Sequence, residues 1–267
     1  MTTQAKPKDN EYLFDNETDE AAKQLRLLSD LCDYQSVRAL SDIAPAPGWR
    51  CWDVGAGGGT VAAWLADAVG PTGSVLATDI KPLHVPNRDN LEARQHDVRS
   101  EEPPGKFNLI HARLVLMHLP EREAVLEKLV SALEPGGVLV VSDWDFTNPD
   151  YLIAAPTEES AAAFRKFQKA IVGLAEHVGA DSAWARRLPT AFHKAGLADV
   201  TTSGEISSWS GGSPGCLLHL SNTRQLEGPL TAVGMTAEDL DTLREALVHP
   251  DFNVWAFELI TATGRKK

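Results

Sequence analysis

The chain has 267 residues, 43% hydrophobic and 23% charged, with a formal net charge of −12. That length can bury a real core, and the mixture is that of a globular protein. The acidity argues against nucleic acid and against anionic membrane surfaces, which both require a basic face; the short run Arg265-Lys266-Lys267 reads as a solvated end.

In chain order, residues 1–12 are polar and lack the apolar segment of a signal peptide, and no apolar run approaches bilayer length. Three scattered cysteines (Cys32, Cys51, Cys216) form no CxxC pair, which fits a reducing compartment. The expectation is a cytoplasmic protein. Over about residues 19–40, Leu25, Leu28, Leu31, Cys32, Val37 and Leu40 recur at helical spacing until Pro45 and Pro47-Gly48 end the helix. A short strand is expected over 49–54, then a glycine cluster and a helix over 61–69. Pro71-Thr72-Gly73 makes a turn before a second strand, 74–80. A weaker third strand covers 91–98 and a fourth 107–112. A helix over 121–133 is broken by Glu134-Pro135-Gly136-Gly137. The fifth strand, 138–142, is nearly continuous in Val and Leu, as in a strand covered on both faces. This alternation implies a doubly wound parallel sheet. Beyond Asp145 the reading gives helices over 157–177, 183–195, about 217–226 and 237–247, with strands over 199–207 and 252–264.

The densest signal is Asp53-Val54-Gly55-Ala56-Gly57-Gly58-Gly59, between a strand and a helix. Small residues let a backbone turn tightly and approach a ligand, and the helix start offers free N–H groups. Asp79 ends the next strand, where a carboxylate can accept from both hydroxyls of a ribose. Nicotinamide dinucleotides and S-adenosylmethionine (SAM) are both bound by this layout. The dinucleotide pattern G-x-G-x-x-G needs a glycine where this chain has Thr60, and Gly59 is one place early. An acid two residues before G-x-G-x-G instead resembles the class I SAM-dependent methyltransferases.

The resemblance extends over about residues 50–145. That family carries an acid after the third strand that reads the adenine amino group, the place of Asp97 in His96-Asp97-Val98. Its fourth strand is followed by a phrase like Ala112-Arg113-Leu114-Val115-Leu116-Met117-His118-Leu119-Pro120. Its next helix ends in one like Leu133-Glu134-Pro135-Gly136-Gly137-Val138-Leu139. The likeness is nearest to bacterial small-molecule methyltransferases of secondary metabolism, in which a phrase like Tyr12-Leu13-Phe14-Asp15-Asn16 resembles a lid segment over SAM. The resemblance implies an α/β fold, a doubly wound, Rossmann-like, seven-stranded and mostly parallel sheet with helical lid additions. It divides one domain into an N-terminal lid (1–45), a SAM-binding core (46–146), and acceptor-side insertions with the last two strands (147–267).

It also implies roles. Gly55, Ala56, Gly57 and Gly59 surround the methionine portion of SAM, and Asp53 orients its amino group directly or through water. Asp79 holds the ribose and Asp97 the adenine, with Ile80 and Val98 beside them. Arg113 and Leu114 complete the methionine pocket, and Tyr12 belongs to the lid. Methyl transfer is an in-line displacement with a neutral leaving group, so the protein contributes mainly alignment and exclusion of water. His118, after the fourth strand, is the candidate general base; the competing reading is local packing. Asp143 and Asp145 flank Trp144 like a Mg²⁺-binding acidic pair. Metal-dependent catechol O-methyltransferases also need an acid after the fourth strand, where this chain has His111-Ala112-Arg113. No metal is therefore expected, and the two acids are expected to face the acceptor pocket or solvent.

Tyr12, Phe14, Trp144, Phe146, Tyr151, Trp184 and Trp209 would suit a flat apolar acceptor, although any one of them is more often core. The expectation is methylation of a small molecule, first at oxygen, with S-adenosyl-L-homocysteine (SAH) as product, by a monomer or homodimer that uses neither nucleic acid nor membrane. The competing readings are a SAM-binding protein that does not methylate, cyclase-type or regulatory, and a dinucleotide-dependent oxidoreductase. Thr60 and the lack of a Tyr-x-x-x-Lys pair count against the oxidoreductase.

Overall fold

A computed structural model describes residues 19–267. Along the chain, α1 (Asp19–Ile43) precedes β1 (Arg50–Val54), α2 (Thr60–Val69), β2 (Ser74–Asp79), β3 (Leu91–Gln95) and β4 (Phe107–Arg113). A single 3₁₀ turn, Leu116–His118, leads to α3 (Arg122–Ser131) and β5 (Leu133–Asp145). Then come β6 (Leu152–Ala154), α4 (Glu158–His177), α5 (Trp184–Lys194), β7 (Ala198–Glu205), β8 (Ser208–Ser210), α6 (Pro214–Gln225), α7 (Glu227–Ala232), α8 (Ala237–Ala246), β9 (Asn253–Trp255) and β10 (Glu258–Arg265).

Seven strands form one sheet in the order β3-β2-β1-β4-β5-β10-β7. The first five in that row run parallel, and β10 lies antiparallel to both neighbours. Side chains alternate between the faces of a strand. Cys51, Leu109, Val138 and Val140 accordingly join the core under α2, while Trp52, Ile110, Leu139 and Val141 join the larger core on the other face. Nine consecutive residues of β5, 137–145, are buried, which is why that stretch reads as an unbroken apolar run.

Two boundaries differ from the sequence reading. The break at 134–137 lies inside β5: Leu133 pairs with Phe107, Val138 with Leu109, and the residues between bulge out of the ladder. The last strand, expected as one, divides at Ala256-Phe257. β9 leaves the main sheet to form a small antiparallel sheet, β6-β9-β8, with Val254 at its centre. The sequence leaves Asp143 and Asp145 open to two placements, facing the acceptor pocket or solvent; at 0% and 2% exposed they do not face solvent.

Asp145 is tied into the fold. Its Oδ2 accepts from Nε and Nη2 of Arg186, at 2.9 and 2.6 Å, and Thr147 Oγ1 donates to it at 2.9 Å. Arg186 also bridges to Glu258 at 3.1 Å, the residue opposite Asp145 on β10. A guanidinium thus separates two facing carboxylates. Arg186→Met leaves the buried one unpaired and opposite a like charge. Losing a buried partner costs about 3–5 kcal/mol, and since Arg186 is half exposed we expect a loss nearer ~2 kcal/mol in urea unfolding at pH 7. An unchanged unfolding midpoint would show that the bridge contributes nothing.

Candidate active site

The loop between β1 and α2 is compressed. Gly55 has φ 65° and Gly59 φ 70°, a region that favours glycine. A Cβ on Gly55 would lie 2.4 Å from Val115 Cγ2, and one on Gly59 2.9 Å from the Val85 backbone. Within the loop the Ala56 amide donates to Thr78 O at 2.9 Å and the Gly59 amide to Ala56 O at 2.8 Å. Asp79, at the end of β2, accepts from the Gly57 amide (3.0 Å) on Oδ2 and from the Lys81 amide (3.0 Å) on Oδ1. It is partly buried, and Ile80 beside it is exposed.

Asp53 is 2% exposed, and its Oδ1 accepts from His111 Nδ1 at 2.7 Å. The two are direct partners in the β1–β4 ladder. Asp97, past the end of β3, is gripped side-on by Arg99, with Nε 3.0 Å from Oδ1 and Nη2 2.9 Å from Oδ2. That guanidinium holds the Asp97 carboxyl below the usual carboxylate range. Val98 is buried. Arg113 Nη1 donates to Asp33 Oδ1 (2.8 Å) and Ser36 Oγ (3.1 Å) on α1. Leu114 takes φ 54°, and its amide donates to Ser142 O at 2.8 Å. Tyr12 lies outside the described residues.

The turn after β4 rests on Asp143, whose Oδ1 accepts from the Val115 amide at 3.1 Å. Among the described residues its Oδ2 has no hydrogen-bond partner. Burial pushes the Asp143 carboxyl up to about 8, against smaller pulls from the Met117 and Val115 amides, the Trp184 indole and Arg122. His118 closes the same turn, partly buried; burial first, then the Arg122 charge, push it down to about 4.

α1 straps the carboxyl edge of the sheet. Leu25 packs over Gly57, Ser29 Oγ lies 3.2 Å from Thr60 Oγ1, Asp33 and Ser36 hold Arg113, and Arg38 pairs with Glu205 at 2.8 Å. Under the strap, at the ends of β5 and β7, is a cavity of about 70 Å³ walled by Leu31, Trp144, Trp209 and Phe257, with Gln35 and Glu205 as polar groups. Behind that wall His219 stacks edge-on against Trp209 and Phe257, with ring centroids 5.5 Å away in each case. Burial pushes it down to about 4.

The structure thus brings Asp53, the glycine loop, Asp79, Arg113 and Leu114 together along the ends of β1, β2 and β4. Asp97 lies beyond them on the β3 side, and His118 follows on the far side of the post-β4 turn. The sequence reading missed His111, Arg99 and Asp33 as partners of these residues: the bonds of His111 and Asp33 depend on which segments pair, whereas Arg99 reaches Asp97 from two positions away. Among the described residues no group of His, Cys, Asp and Glu is placed to hold a metal, and no helix is long and apolar enough to cross a membrane.

A family model described as a methyltransferase domain matches residues 19–202. The chain belongs to this methyltransferase family. Its strand order, with β10 alone reversed, is the fold of the class I SAM-dependent enzymes. The methyltransferase is 38% identical to methyltransferase str3 of Strobilurus tenacellus over 99 residues, 35% of each chain. It is 32% identical to a ubiquinone biosynthesis O-methyltransferase of Xanthomonas campestris pv. campestris over 127 residues, 43% of this chain and 52% of that one. It therefore spans about half or less of the length of these curated relatives. Phosphoethanolamine N-methyltransferase 2 of Haemonchus contortus, solved with SAM, superposes with a TM-score of 0.55 at 15% identity, covering 94% of this chain and 58% of that one. At that identity the likeness speaks for the fold.

Three buried groups give the methyltransferase a signed pH dependence of stability. His118 and His219 stay neutral in the fold down to about 4, while the unfolded chain protonates them near 6.5. Stability from both is lost as pH falls from about 6.5 towards 4. Asp143 keeps its proton in the fold up to about 8, while the unfolded chain releases it near 3.8. Its stabilisation is lost as pH rises between those values. Below 6.5 the two histidines outweigh the one acid, and above it Asp143 acts alone. The thermal midpoint is expected to peak near pH 6.5, and Asp143→Asn to abolish the decline towards pH 8. A decline that persists in that variant would exonerate Asp143.

Proposed function

We propose that this methyltransferase moves the methyl group of SAM to a small, partly apolar acceptor, at an oxygen atom, and releases SAH. The observation that carries the reading is the aromatic-walled cavity, which opens on the same carboxyl edge as the glycine loop, under one strap helix. Ligands of open α/β sheets bind along that edge. When bound, SAM supplies an activated methyl on a sulfonium; the chain's own residues bind, orient and exclude water.

Several features fit the cofactor. The glycine loop leaves no room for a Cβ at Gly55 or Gly59, so the backbone itself forms the wall. Asp79 spends one lone pair of each oxygen on backbone amides and keeps others for two ribose hydroxyls. Asp97 reads the adenine amino group with a carboxylate that Arg99 keeps ionised. Asp53, Ala56, Arg113 and Leu114 line the methionine side, and Ile80 and Val98 flank the adenosine. Trp144, Trp209 and Phe257 offer flat faces to an apolar acceptor and to a sulfonium cation. His118, neutral through the physiological range, accepts or orients the acceptor proton.

The direct test is SAH release from purified protein given SAM and a panel of phenols, carboxylic acids, amines and activated carbons. Turnover with the oxygen nucleophiles is expected. Turnover confined to amines or carbons would overturn the oxygen assignment, and silence with SAM binding verified would favour a non-methylating binder. Asp79→Ala is expected to weaken SAM binding roughly tenfold to a hundredfold through the lost charged hydrogen bonds. His118→Ala is expected to lower kcat far more than SAM affinity. Equal losses in both quantities would make His118 a packing residue.

A further inference from the structure

We infer that His111 is a positioning residue for Asp53, which it holds turned to receive the α-ammonium group of SAM. This rests on the cofactor reading above and adds a residue that the sequence did not single out. Asp53 and His111 are register partners on β1 and β4, on the sheet face that carries α2, and both are buried, at 2% and 1% exposure. Their 2.7 Å contact is at the short end for an N–H···O bond.

Nδ1 faces the carboxylate and donates to it. Among the described residues the buried Nε2 has no hydrogen-bond partner, so the bond to Asp53 is the one the ring makes there.

Two other acids of this edge meet guanidinium groups: Asp97 that of Arg99, and Asp145 that of Arg186. Among the described residues, the Asp53 carboxylate has one hydrogen-bonding partner, the His111 ring. A buried carboxylate with a single hydrogen bond has acceptor capacity left to satisfy. It lies two residues before Gly55, beneath the loop assigned to the methionine portion. Oδ1 is given to His111, which fixes the plane of the carboxylate and leaves Oδ2 for a cationic donor. The ligand chemistry that completes this arrangement is a primary ammonium.

Calorimetry with two ligands tests it: SAH, which carries the α-ammonium, and 5′-methylthioadenosine, which has the same adenosine and thioether but no amino-acid portion. The variants are His111→Phe, which removes the donor, and His111→Asn, whose amide nitrogen is bonded to Cγ as Nδ1 is and can replace it. His111→Phe is expected to weaken SAH about tenfold or more while binding 5′-methylthioadenosine as the parent does. His111→Asn is expected to remain within about threefold of the parent for both, since it restores that one charged bond. Three results would overturn the inference: unchanged SAH affinity in His111→Phe, equal losses for the two ligands, or His111→Asn as weak as His111→Phe. Asp53→Asn separates the levels. If it weakens SAH while His111→Phe does not, only the role of His111 falls; if the parent protein binds neither ligand, the cofactor reading falls with it.

Discussion

The turn after β4 has to press against the glycine loop without pushing it off the end of β1, and the rest of the site depends on that contact. Val115 fills the space that a side chain on residue 55 would need. It reaches that place because Leu114 adopts a left-handed conformation at φ 54°, which costs a non-glycine residue on the order of 1 kcal/mol. The conformation is held from both ends: Ser142 O takes the Leu114 amide, and Asp143 Oδ1 takes that of Val115. β5 thus fixes the turn that shapes the loop of β1. The requirement is met by burying an acid, which explains why Asp143 sits at the end of the most completely buried strand.

The same contact decides where open space remains along the edge. With the post-β4 turn drawn in over the loop, open space remains farther along the edge, where β5 ends and β10 starts. α1 closes that space from above, and it is anchored at four separate places: the glycine loop, the start of α2, Arg113 and Glu205. A helix held in this way couples the loop to the aromatic cavity, because moving Leu31 and Gln35 also moves Ser29 and Asp33. The small sheet β6-β9-β8 supplies the facing wall by presenting Trp209 and by steering the chain through Phe257.

How much of this was legible in the sequence follows the range of the interactions. The glycine loop, Asp79, the alternating strands and helices, and the α4 and α5 segments all announce themselves within ten or twenty residues, by spacing and by turn chemistry. β5 was legible as a buried strand, but its start was misplaced: Pro135-Gly136-Gly137 looks like a terminator, and only the pairing of Leu133 with Phe107 shows the strand resuming across it. The split of the last strand was invisible for a related reason. Residues 252–264 are mostly apolar, and nothing local says that Val254 and Leu259 belong to different sheets. Two partnerships at the site lie farthest beyond reach. His111 bonds Asp53 across 58 positions and Asp33 bonds Arg113 across 80, so both depend on the register and order of strands.

The acids of the carboxyl edge divide by the kind of donor they meet. Asp97, Asp145 and the Arg113–Asp33 pair are matched by guanidinium groups, which neutralise charge and lock segments together. Asp53 and Asp79 are met by an imidazole and by backbone amides, which orient a carboxylate and leave it acceptor capacity. Acceptor capacity left open on a confined carboxylate is wasteful for stability alone. It is advantageous where something outside the fold is to bring the missing hydrogens: an ammonium at one place, a pair of hydroxyls at the other. These two acids stand on either side of the glycine loop, one at the end of β1 and one at the end of β2. A single bound molecule that lies across the loop can therefore reach both.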